Sequence, residues 1–149
     1  MSKIEKITIL TPEVAVTSFM TPRSLRIVKT MGFSTVINMM PLSSSVMDDV
    51  FEKGLAEKVR KFGLEYRQLP VDSAKDIDQA VIDRFHETMS EVPMPAVIFS
   101  RSGQRAITLW ALAMRDVLTR EQLAEKVGRA GHDISRVITD EQVSGPRAA

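Results

Sequence analysis

Six consecutive residues, Ser100-Arg101-Ser102-Gly103-Gln104-Arg105, gather the chemistry-bearing groups of this chain in one place. They follow the apolar run Ala96-Val97-Ile98-Phe99 and lead into an apolar stretch from Ala106 to Leu118. The run predicts a buried strand and the stretch a helix. A loop that feeds a helix offers unpaired backbone N–H groups and the positive end of the helix dipole, so it favours an anion. Gly103 permits a backbone turn that aims several N–H groups at one point. Arg105, at the helix start, presents a planar two-pronged donor suited to phosphate or sulfate. Arg101 adds charge or pairs with an acid elsewhere. The spacing predicts an oxyanion cradle. The plainer alternative is an ordinary strand-to-helix turn with solvated arginines. A Ser-His pair around Ser100 has little support: His86 falls in an amphipathic helix and His132 follows a glycine.

The elements that must position this loop alternate between strand and helix. Ile7 to Leu10 and Val14 to Thr17 flank Thr11-Pro12-Glu13 as strand, turn and strand. Thr21-Pro22 opens a helix carrying Leu25, Val28 and Met31, with Gly32 as its stop. Ser34 to Met39 is short and β-branched and predicts a buried strand. Serines 43–45 are placed to cap a helix striped by Val46, Val50, Leu55, Val59 and Phe62, which Gly63 ends. Lys53, Lys58, Arg60 and Lys61 read as its solvated face. Glu65 to Leu69 predicts the next strand, closed by Pro70. Asp76 is the expected cap of a helix striped by Ile77, Val81, Phe85 and Met89. After the loop, the helix to Leu118 is apolar almost all round, which places it and Trp110 in the middle of the domain. Thr119 and Arg120 start an amphipathic helix with Leu123, Val127 and Ala130 inward and Gly131 as its stop. Asp133 to Gln142 predicts a last short helix, and residues 143–149 a flexible tail.

This alternation predicts one α/β domain over residues 1–149, with a mainly parallel sheet and helices on both faces. In such sheets ligands bind beyond the carboxyl ends of the strands, where Ser100 to Arg105 would stand. Composition narrows the rest. Hydrophobic residues make up 44% and charged ones 26%, with a net charge of +1. That balance gives no strong field toward nucleic acid or a membrane surface. No apolar run approaches the roughly 20 residues of a membrane helix, and the first residues do not read as a signal peptide. The default expectation is a cytoplasmic protein. The absence of cysteine excludes disulfides and zinc-thiolate sites, and the two histidines make no metal spacing with a carboxylate pair. Neither a metal nor a cofactor is expected.

The loop with the following Leu109-Trp110-Ala111-Leu112 resembles the bacterial tyrosine-phosphatase-like family, also described as beta-lactamase-hydrolase-like or "sulfur transferase". Its members typically read Cys-Arg-Ser-Gly-Thr-Arg at this place, with a Leu-Trp pair in the next helix. Ile7-Thr8, Val14-Ala15-Val16, Thr21-Pro22, Met31 to Asn38, Gly63 to Arg67 and Leu69-Pro70-Val71 agree with the family in the same order. The resemblance spans Ile7 to Leu118.

The resemblance implies a tyrosine-phosphatase-like domain whose parent chemistry is cysteine-dependent phosphomonoester hydrolysis. It implies an anion-binding set of Arg101, Ser102, Gly103, Gln104 and Arg105. Ser100, Arg105 and Asp72 would be the catalytic set, with Asp72 as general acid after the strand exit Leu69-Pro70-Val71. Read without the resemblance, Asp72 is a turn aspartate before Ser73. Asn38 reads as a residue that satisfies backbone groups at the sheet edge. The chain departs from the family at its centre. A serine stands in the cysteine's place, which keeps the site's shape and removes the covalent step. Ser100 is then either a natural pseudoenzyme's residue or a replacement. Ordinary tyrosine phosphatases have five residues between cysteine and arginine, and here four separate Ser100 from Arg105. The shorter loop keeps a rhodanese-like sulfur transferase open as the alternative. A pseudophosphatase that binds a phosphorylated partner is a second alternative.

Overall fold

A computed structural model describes residues 7–18, 21–40, 46–71, 77–101 and 103–137. Five strands and six helices follow one another as β1 (Ile7–Thr11), β2 (Val14–Thr17), α1 (Pro22–Thr30), β3 (Thr35–Asn38), α2 (Val46–Lys61), β4 (Glu65–Gln68), α3 (Gln79–Glu91), β5 (Ala96–Phe99), α4 (Gln104–Ala113), α5 (Arg120–Arg129) and α6 (Ile134–Val137). The sheet runs β1-β2-β5-β3-β4. β1 joins β2 as an antiparallel hairpin, and the other neighbours pair in parallel. β5 therefore lies at the centre of the sheet, with Phe99 level with Thr17 on one side and Asn38 on the other.

Alternation along the strands sorts the core into two halves, because successive strand residues face opposite sides of a sheet. Ala96 and Ile98 of β5 join Ile37 and Val16 on the face covered by α3, α4, α5 and α6. Val97 and Phe99 join Val36 and Ala15 on the face covered by α1 and α2. Parallel strands buried on both faces read as continuous apolar runs, as the four-residue run of β5 does. The predicted α/β sandwich is thus the observed one. Trp110 is buried in the larger half.

Two helix boundaries depart most from the expectation. Asp78, rather than Asp76, caps α3: its carboxylate accepts from the Val81 N–H at 3.0 Å. One residue separates the candidates, and the extended backbone of Asp78 (φ −104°) leaves its side chain facing the first helical turn. Ile77, just before the cap, packs on the same core as Ile82, the arrangement of a hydrophobic staple. Asp76 itself and the serines at 43–45 lie outside the described residues.

α4 ends at Ala113 rather than Leu118. Its apolar periodicity continues, and Met114 and Leu118 still pack on the core. The backbone turns there, with the N–H groups of Val117 and Leu118 donating to the Met114 carbonyl. Thr119 competes for the chain as the cap of α5, in a reciprocal capping box with Gln122. Of the expected last helix the described residues include Ile134–Val137, and residues 138–149 lie outside the described part. No helix among the described residues is long and apolar enough to cross a membrane.

Candidate functional site

The carboxyl end of β5 delivers Ser100 to the middle of the sheet edge, where the Ser100 N–H donates to the Thr17 carbonyl at 3.3 Å. The chain then reverses within three residues: the Gly103 N–H donates back to the Ser100 carbonyl at 3.0 Å. Gly103 holds φ +75°, left-handed backbone that side-chain-bearing residues rarely adopt. This is what the glycine is for, since it starts α4 directly after a central strand.

Gly103 has no side chain to cap the helix it begins, and Ser100 takes that part. Its Oγ accepts from the Ala106 N–H at 3.2 Å, an N–H of the first helical turn. Ser100 is fully buried. The first loop atom able to carry a charge therefore stands on the amino end of α4, where the dipole favours negative charge.

Arg105 reaches across to the neighbouring loop, and its Nη1 donates to the Val71 carbonyl at 2.8 Å. The residue after Val71 is Asp72. The loop after β5 and the loop after β4 are thus tied one residue before the position expected to carry the acid. Asp72 and Ser102 themselves lie outside the described residues. Gln104 turns toward Thr108 of its own helix, Nε2 to Oγ1 3.5 Å, and Arg101 is exposed. Asn38 is spent on structure, its Nδ2 donating to the Tyr66 hydroxyl and its Oδ1 accepting from the Met40 N–H. Among the described residues no group of three His, Asp or Glu stands close enough to hold a metal ion.

The sequence set His132 aside as a partner for the loop, and the structure brings it there. His132 sits beside Gly103: its Nε2 is 3.5 Å from where a Cβ on that glycine would stand. Thr8, Val16, Thr17, Ser18 and Ala130 complete a small cavity of about 90 Å³ there. Burial holds the His132 pKa below the ordinary histidine value. No local motif marks this residue. α4 runs away from the carboxyl edge of the sheet and α5 returns toward it after a short turn, so topology alone brings Gly131-His132 back to the loop. His86 stays exposed on α3.

Gly103→Ala tests the turn. The added methyl would meet His132 only at ordinary contact distance, so the cost is the left-handed backbone, about 1–2 kcal/mol. Urea denaturation should show that loss with an unchanged slope. No loss of stability would mean that the turn is relaxed without glycine.

Comparisons with known proteins bear on the fold and the family. The model of the beta-lactamase hydrolase-like protein, phosphatase-like domain, matches residues 6–116. No curated protein matches the chain. Among solved structures, a candidate phosphatase from Neisseria meningitidis Z2491 is similar at 18% identity and a TM-score of 0.76, over 91% of this chain and 97% of that one. A complex of TpbA from P. aeruginosa with phosphotyrosine is similar at 15% identity and a TM-score of 0.59, over 90% and 77%. The core catalytic domain of a PP-IP phosphatase from S. cerevisiae, solved with citrate, is similar at 13% identity and a TM-score of 0.64, over 91% and 80%. At these identities the likeness is one of fold. The matched segment contains β1 through α4 and the whole loop, and the chain belongs to the family of the beta-lactamase hydrolase-like protein's phosphatase-like domain.

Proposed function

We propose that residues 100–105 form the oxyanion loop of a phosphatase-like domain that holds a phosphorylated ligand without turning it over. The observation that carries the reading is the buried Ser100 hydroxyl on the Ala106 N–H at the start of α4. The parent chemistry is phosphomonoester hydrolysis through a cysteine at that position. A thiolate there would face the same N–H and the same dipole, which stabilise the charge it needs. A serine hydroxyl stays protonated at neutral pH and is a far weaker acid than the thiol. Arg105 holds the anion with the loop's N–H groups, Arg101, Ser102, Gly103 and Gln104 shape the cradle, and Asp72 is the acid of the parent reaction. The TpbA complex with phosphotyrosine supports a phosphate-type ligand in this fold.

The loop's length favours one rival. Four residues between Ser100 and Arg105 make a tighter ring than the five of ordinary tyrosine phosphatases. A sulfur-transferase parent is the second reading on that ground.

Calorimetric titration with phosphate or vanadate tests the cradle. Arg105→Ala should weaken binding by about 10- to 150-fold, the scale of 1.5–3 kcal/mol for hydrogen bonds to a charged group. Arg105 also anchors the Val71 carbonyl, so Arg105→Lys belongs beside it. The lysine keeps the charge and loses the planar fork, and should fall between the two. Equal affinity in all three proteins would remove Arg105 from the site.

A further inference from the structure

His132 reaches the loop from outside the segment that the family model matches, which ends at residue 116. A firm element delivers it. Leu123 and Val127 of α5 are fully buried, and Lys126 donates through Nζ to the Leu10 carbonyl of β1 at 2.7 Å. The His132 N–H donates to the Val127 carbonyl, which fixes the residue to the last turn of α5. The imidazole then approaches the loop across the side chain that Gly103 lacks. The small cavity between them is lined by the hydroxyl residues Thr8, Thr17 and Ser18, with Val16 and Ala130.

No carboxylate and no cation among the described residues lines that cavity. The nearest acid in sequence is Asp133, whose carboxylate accepts from the Ser135 N–H and hydroxyl at 2.9 and 2.8 Å and feels Arg136 and Arg120. On the loop itself the charged groups are Arg101 and Arg105. An anion in the loop would be the negative charge best placed to act on the imidazole.

We propose that His132 is an outer member of the oxyanion site: a positioning residue that braces Gly103 and whose protonation is coupled to the anion held by residues 100–105. The inference rests on the oxyanion reading above. It also makes the C-terminal helices part of the site. Burial favours the neutral imidazole in the empty protein. A dianion a few ångströms beyond Gly103 favours the imidazolium. A dianion and an imidazolium on the two sides of Gly103, screened as in bulk water, attract enough to change affinity by roughly three- to tenfold. By linkage, the anion raises the proton affinity of His132 by the same factor that protonation raises the affinity for the anion.

The chain has only two histidines, and the other is a built-in control. His86 lies with Thr11, Glu13 and Met94 in a groove at the opposite, amino end of the sheet. Sulfate is the probe, because it stays dianionic from pH 5.5 to 8. Proton NMR follows both imidazoles through a pH titration with saturating sulfate, and again with chloride at equal ionic strength. Sulfate should move the His132 midpoint upward and leave that of His86 in place. Calorimetry should show sulfate affinity rising three- to tenfold from pH 8 to pH 5.5. In His132→Gln, checked for folding by circular dichroism and Tm, that rise should be absent.

Sulfate binding that depends on Arg105, with an unmoved His132 midpoint, overturns the inference and leaves the oxyanion reading standing. So does an unaltered pH dependence in His132→Gln. Sulfate binding that is absent, or indifferent to Arg105→Ala, overturns the oxyanion reading and this inference with it. Should His132→Gln fail to fold, the midpoints in the native protein decide alone.

Discussion

Ser100→Cys should convert the chain from one with background hydrolysis of an aryl phosphate to one at least about a thousandfold faster, the scale on which loss of a nucleophile acts. Only the reacting atom changes. The Ala106 N–H that now meets the serine hydroxyl would meet the thiolate instead, and the α4 dipole and Arg105 add to its stabilisation. The pKa of the new thiol should therefore fall below the ~8.5 of a free thiol, and the rise of kcat/KM with pH should begin well below that value. Sulfur transfer from thiosulfate to cyanide should be assayed on the same protein. Turnover only in that assay would make the sulfur transferase the parent. Silence in both would overturn the enzyme scaffold and leave the binding module as the reading.

The second large effect belongs to Asp72. In the Ser100→Cys protein, Asp72→Asn should slow phenyl phosphate hydrolysis by about 100-fold or more, the usual weight of a general acid. The loss should shrink for p-nitrophenyl phosphate, whose leaving group departs with less need of a proton. That difference between substrates separates an acid from a turn aspartate, which would cost both equally. The Arg105 bond to the Val71 carbonyl motivates the test, since it ties the sequence neighbour of Asp72 to the oxyanion loop.

The frame around the site was legible where local physics decides it. β5 carries four apolar residues bounded by Pro95 and a polar loop, and its limits are those the sequence predicts. Gly103 takes the left-handed turn that its lack of a side chain permits. Thr119 caps α5 because its hydroxyl and Gln122 satisfy each other's backbone groups. Legibility failed where several local solutions were nearly equivalent. Asp76 and Asp78 are both competent caps, and the packing of Ile77 and Ile82 on the core sets the entry angle. Met114 and Leu118 continue a helical stripe although the helix stops, because apolar spacing reports burial rather than backbone hydrogen bonds. His132 was out of reach for another reason. Its neighbour Gly103 is far away in sequence, and only the return of α5 to the carboxyl edge brings the two together.

A crystal of the native protein soaked in tungstate tests the central claim most directly. The oxyanion reading predicts one strong anomalous peak at the start of α4, with the Arg105 guanidinium and backbone N–H groups of residues 101–105 within hydrogen-bond distance. Tungstate bound elsewhere while this loop stays empty would contradict it.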